Sequence, residues 1–164
     1  IHDNKDTDMH NNQSPFQSNQ SHDTLKIIGN VIWFVFIGIP LGCAWWCAGL
    51  LMCVFIITIP WAKAAFTIGK LAFLPFGQTS ISRYRITGKQ DVGSGNLGYI
   101  GNIIWLIFAG IWLAIHNFLL GVLFCLTIIG IPFGVQFFKL AKLSLWPIGT
   151  CITSSNVKLD SMYA

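Results

Sequence analysis

Residues 27–39 read IIGNVIWFVFIGI, and residues 99–111 read YIGNIIWLIFAGI. They share Gly29 with Gly101, Asn30 with Asn102, Trp33 with Trp105, Phe36 with Phe108 and Gly38 with Gly110, always 72 positions apart. Carried outward, the same offset lays residues 27–77 on 99–149 without a gap, with 21 identities in 51 positions. Gly49, Cys53, Pro60, Lys70, Pro75 and Gly77 then meet Gly121, Cys125, Pro132, Lys142, Pro147 and Gly149. A gapless match of this length marks a tandem duplication, so the architecture of one copy is expected in the other.

The material of the repeats is apolar. Hydrophobic residues make up 54% of the 164-residue chain, mean hydropathy is +0.63, and charged residues make up only 10%. A soluble domain of this size needs a more charged surface. No Asp, Glu, Lys or Arg occurs from Ile27 to Ala62 or from Val92 to Phe138. Uncharged apolar runs longer than about 18 residues read as membrane-spanning helix, where the backbone must satisfy its own polar groups. Residues 1–24, rich in Asn, Gln, Asp, His and Ser, read instead as a disordered polar tail. His2, His10 and His22 lack the tight spacing of a metal site, and polar-tail character explains them.

Length alone leaves the number of spans open. Residues 27–60 would make about 51 Å of helix at ~1.5 Å per residue, against about 30 Å of hydrocarbon. Charge placement favours two spans per repeat. Lys26 precedes the first run, Lys63, Lys70, Arg83, Arg85 and Lys89 follow it, and Lys139, Lys142 and Lys158 follow the second. With basic flanks cytoplasmic, each run must go out and return. The predicted turns are PLGCAWW (40–46) and WLAIHNF (112–118). An even number of spans makes the repeats parallel, related by a pseudo-twofold axis along the membrane normal, with both termini cytoplasmic.

Each repeat then reaches Ile-Pro. Proline interrupts a helix, so Pro60 and Pro132 are read as ending the second span. The segments beyond, WAKAAFTIGKLAFLP and FGVQFFKLAKLSLWP, carry Lys63, Thr67 and Lys70, and Gln136, Lys139 and Lys142, on one helical face each. That pattern predicts an amphipathic helix lying in the cytoplasmic interface, its basic edge on anionic lipid. The alternative is that these residues continue the span and snorkel their lysines to the headgroups.

The duplicated GN(V/I)IW start, the IIGIPFG ending and the LSLWPIG close (143–149) resemble the YccF family of bacterial inner-membrane proteins, the inner membrane component domain. Members commonly carry tandem copies, and the resemblance covers roughly residues 25–150. It implies location in the inner membrane and a multi-pass architecture, and it implies no chemistry. The polar stretch before Leu25 departs from the compact family pattern.

The expected fold is an all-α integral membrane protein of two parallel tandem repeats. Each repeat is a transmembrane hairpin followed by an interfacial helix. The boundaries are a tail (1–24), repeat one (25–77), a basic cytoplasmic linker (78–98), repeat two (99–150) and a cytoplasmic C-terminal tail (151–164).

Residue chemistry argues against catalysis. The chain has no Glu, and its six Asp (3, 6, 8, 23, 91 and 160) lie in the tails and linker. No pair of carboxylates is held within the repeats for acid–base work, and no acid sits at mid-depth for proton coupling. His116 has no nucleophile at motif spacing. The five cysteines lack a CxxC, and in lipid they act as small hydrophobes, although a Cys43–Cys47 disulfide at the far turn is conceivable. No enzymatic activity, cofactor, metal or nucleic-acid partner is expected.

Gly38 and Gly42 form a GxxxG, and Gly110 and Ala114 its equivalent, spacing that lets helices approach closely. The partner helix belongs either to the same chain or to a second copy, so homo-oligomerisation stays open. Asn30 and Asn102 read either as interhelical hydrogen-bonding groups or as lining a pore entrance. Two functional classes follow. One is a structural or regulatory membrane component; the alternative is an oligomeric ion or small-solute channel whose path is lined by Asn30, Asn102, Thr58, Thr127, His116 and Asn117. The low density of polar positions favours the first.

Overall fold

The computed structural model describes residues 15–89 and 95–155. The duplication is visible in the long helices, their π-turns, the returning helices and the strands. Helix α1 (Pro15–Trp33) runs through a π-helical turn, Phe34–Gly38, into α2 (Ile39–Cys53). A loop leads to α3 (Ile59–Phe73), strand β1 (Gln78–Ser82) and the short α4 (Arg83–Thr87). Then α5 (Asn96–Trp105), a second π-helical turn at Leu106–Gly110, α6 (Ile111–Cys125), α7 (Ile131–Leu145) and β2 (Thr150–Ser154) repeat the order.

The expected turns at 40–46 and 112–118 do not exist. Helix is continuous over His22–Cys53 and Asn96–Cys125, each long and apolar enough to cross a membrane. The reason is local hydrogen bonding. Within the first π-turn Ile39 N–H reaches back to Phe34 O, and Gly38 and Ile39 keep right-handed helical angles, so the chain passes Pro40 without breaking. Repeat two makes the same π-turn (Ile111 N–H to Leu106 O) with Trp112 in the proline's place. Proline is therefore tolerated by this bulge and does not cause it.

The reversal comes later, and it moves the hairpin. In repeat one Thr58 closes the loop with its N–H on Phe55 O and its hydroxyl on Phe55 O and Met52 O. In repeat two Thr127 accepts from Gly130 N–H through both its carbonyl and its hydroxyl. Pro60 and Pro132 then stand in the first turn of α3 and α7. They begin a helix, where the missing N–H is not needed, and do not end one. Each repeat is thus one hairpin of long helix and Pro-started helix. The expected hairpin followed by a separate third helix is not formed.

The returning helices are packed inside. In α3, Ala62, Ala64, Ala65, Ile68, Gly69, Leu71 and Ala72 are buried, and in α7 so are Gln136, Phe137, Leu140, Ala141, Leu143 and Ser144 among others. One core, built on Trp33, Ile68, Leu71, Trp105, Phe137, Leu140 and Leu143, draws on both repeats. Its bulk is two indoles, a phenyl ring and branched aliphatic chains, while the small Ala62, Ala64, Ala65 and Ala72 let α3 approach its neighbours closely. The faces turned outward carry Ile28, Val31, Val35, Phe36, Ile100, Ile107 and Phe108, a surface suited to lipid.

The repeats are joined by an antiparallel ribbon in which Gln78 faces Ser154 and Ser82 faces Thr150. Each hairpin crosses to the other repeat. Trp61 Nε1–H donates to Gly101 O at 3.1 Å, and Phe133 stacks on Trp33 with ring centroids 6.2 Å apart.

Segments expected as tail and linker carry structure. The first helix already includes Pro15–Thr24 of the polar stretch. The linker holds β1 and α4, and the C-terminal segment supplies β2. Residues 1–14, 90–94 and 156–164 lie outside the described residues.

Candidate functional site

The repeat-invariant Asn and Trp lie three apart on the long helix, hence on one face. Asn30 Nδ2 donates to Phe76 O and its Oδ1 accepts from Phe76 N–H, both at 3.0 Å. Asn102 holds Ile148 the same way, at 2.9 and 3.0 Å. One turn on, Trp33 Nε1–H donates to Ala72 O at 2.6 Å and Trp105 Nε1–H to Ser144 O at 2.8 Å. The amide acts as a strand-like partner for the Pro-x-Gly close, and the indole takes a carbonyl left over at a helix C-terminus. Gly77 (φ 78°) and Gly149 (φ 81°) then turn the chain into the ribbon, in a backbone region that side chains disfavour.

The other polar positions are placed as follows. Asn117, buried, donates to Leu113 O on its own helix. His116 is exposed and, like Asn117, stands inside α6 and not at a turn. Thr58 and Thr127 are used by the loops. Gly42 abuts the Phe73 ring, Gly38 the Phe73 carbonyl, Gly110 the Ser144 carbonyl and the Trp105 ring. Ala114, half-buried, shares a shallow groove with Phe138 and Lys142. Cys43 and Cys47 are free thiols on α2. Among the described residues no group of three or more His, Cys, Asp or Glu converges.

The basic residues divide. Lys70 and Lys142 are exposed, while Lys139 Nζ donates to Pro75 O at 3.3 Å and to Gln78 O at 3.2 Å. Lys63 and Arg83 both line a cleft of about 470 Å³ between the two repeats. Arg83 and the residues across the seam were not singled out by the sequence. The available signal was the breaking of repeat symmetry: Lys63 aligns with Val135, Thr67 with Lys139 and Arg83 with Ser155.

The sequence profile of the inner membrane component domain, YccF, matches twice, at residues 28–78 and 100–150. The chain belongs to the YccF family. The two matches coincide with the two hairpins plus their Asn–Trp clamps, so the YccF unit is one hairpin closed on its own Pro-x-Gly. The inner membrane protein YccF of Escherichia coli K12 is 35% identical over 131 residues, covering 79% of this chain and 88% of that protein. The inner membrane protein YccF of Shigella flexneri is similar to the same extent. No solved structure matches the chain. Membership and the two long apolar helices make this an inner-membrane protein of the YccF type.

Proposed function

We propose that the chain is a non-enzymatic structural or regulatory component of the bacterial inner membrane, with both termini cytoplasmic. The observation that carries this reading is that Asn30, Asn102 and Asn117, the amides that a conduction path would use, are spent on internal hydrogen bonds. A wet conduction path needs polar groups that face water, and a membrane bundle held by such amides is a packed solid.

Orientation is argued from the ribbon. Among the described residues its two strands pair with no third strand, and such edges are tolerated by water and not by hydrocarbon. Lys26 lies beside Gly77 at the ribbon's end, and Arg83 N–H donates to Gly149 O at the other. These cations favour the cytoplasmic side. The twofold of the ribbon does not make the repeats parallel as expected. Trp61, at the start of α3, meets Gly101, and Phe133, at the start of α7, meets Trp33 and Phe76, so the two hairpins run antiparallel and the axis lies across the helices. The basic groups at this level favour anionic lipid as partner.

Ion flux through liposomes carrying the purified protein tests the reading. Flux at the level of empty liposomes is expected. Selective flux lost in a folded Asn102→Leu variant would establish the channel instead.

A further inference from the structure

The two seams between the repeats differ, and the difference points to a ligand. At one seam Lys139 Nζ bridges to the carbonyls of Pro75 and Gln78, so a cation of the chain itself closes the joint. At the equivalent seam that lysine is Thr67, whose hydroxyl turns back to Lys63 O at 2.8 Å. There the joint stands open as the cleft of about 470 Å³, lined by Lys63 and Arg83 where the duplicate has valine and serine. Among the described residues no Asp or Glu lines the cleft, and the Thr67 and Thr150 hydroxyls already donate to Lys63 O and Trp146 O.

The rest of the wall is apolar. Ile56 and Leu97, at the lip, are 83% and 71% exposed, on the surface that faces lipid. The cleft also abuts the first turns of α3 and of the long helix starting at Asn96, whose N–H ends favour negative charge. Two cations and two helix starts beside an exposed apolar lip match a phosphate joined to acyl chains.

We propose that this cleft binds the phosphate of an anionic phospholipid, with Lys63 and Arg83 on the headgroup and the chains leaving over Ile56 and Leu97. The inference rests on the orientation argued above and deepens its anionic-lipid partner to one site. The duplication supplies the reason for the asymmetry: one seam is sealed by Lys139, and the other has exchanged that seal for a binding place.

The test uses the full chain in a neutral detergent, with phosphatidylglycerol, phosphatidylcholine and inorganic phosphate added separately, and counts bound lipid by native mass spectrometry. Phosphatidylglycerol is expected to bind in preference to phosphatidylcholine. Lys63→Gln and Arg83→Gln should each weaken it by about fivefold, from about 1 kcal/mol per cation at a membrane surface. Lys63→Arg should keep it, as should Lys142→Gln, which is remote. Unchanged preference in folded Lys63→Gln overturns the site. Equal losses in Lys142→Gln overturn it too while leaving a diffuse anionic preference in place. If the wild type shows no preference, both the site and the broader lipid reading fall. Stabilisation by inorganic phosphate, lost in Lys63→Gln and without phosphatidylglycerol binding, assigns the cleft to free phosphate and overturns the lipid.

Discussion

Ser80 faces Ile152 at the centre of the ribbon, and Ile152 is its own counterpart in the duplicate. A residue paired with its repeat-equivalent can lie only on the rotation axis that relates the two copies. The ribbon therefore marks where the duplicated halves meet, and both hairpins cross beneath it. Since α3, which belongs to repeat one, ends at the ribbon and begins beside Gly101 of repeat two, neither repeat has a complete surface alone.

The indole bonds are expected to hold the hairpins shut. Trp105→Phe leaves a buried carbonyl at Ser144 without its donor, a loss of about 1–3 kcal/mol. Asn102→Leu should cost at least as much, and more than Asn30→Leu, because Asn102 is buried and Asn30 only partly so. Melting of the purified variants in detergent checks the ranking. Equal melting for Asn30→Leu and Asn102→Leu would show that burial does not set the cost.

Glycines are expected to separate by what surrounds them. A Cβ on Gly38 would sit 2.7 Å from Phe73 O, a backbone atom that cannot swing aside. Gly38→Ala should destabilise by about 1–3 kcal/mol, as overpacking does. Gly88 has a left-handed φ of 65° but nothing within 4 Å, so Gly88→Ala should cost about 1 kcal/mol from backbone conformation alone. Thermal melts that ranked Gly88→Ala as the worse of the two would contradict the packing of α2 on α3.

Labelling of Cys43 and Cys47 distinguishes a continuous helix from a turn. Both are surface thiols in the middle of the span, where the surroundings are lipid. In membrane vesicles a charged maleimide should fail to label them from either side, while a lipid-soluble one should succeed. Labelling by the charged reagent on the far side would restore a turn at 40–46.

Cys151 is expected to be a slow nucleophile. Burial in the ribbon pushes its thiol up from the ordinary value, against a smaller downward pull from the Arg83 guanidinium. The thiolate is the reacting form, so alkylation should rise with pH to a midpoint above that of a free thiol. Arg83→Gln removes the downward pull and should move the midpoint higher still. A midpoint that moves lower in Arg83→Gln would refute the electrostatic role of Arg83.

Several features were legible without coordinates. The offset of 72 carries through the long helices, the π-turns, the returning helices and the strands, because side chains that pack alike recur alike. Asn30 and Asn102 stood out since an amide within an apolar run must find a partner, yet the partner was a backbone segment 46 residues away. The turn was misplaced for a physical reason. In lipid, helix and turn draw on the same apolar residues, so PLGCAWW looked like a loop, while Thr58, one hydroxyl in an apolar stretch, made the real one. Lys63, Lys70, Lys139 and Lys142 formed one category in sequence, but the fold gives Lys139 to carbonyls and Lys63 to a cleft.

Sequence by itself determined the duplication, the membrane class and the family, since each follows from composition and from residues compared in order. Tertiary structure alone decided where the chain reverses, that Ile-Pro opens a helix, and that the two seams differ. Those depend on which distant carbonyl or ring fills a group's needs, and linear order does not contain that distance.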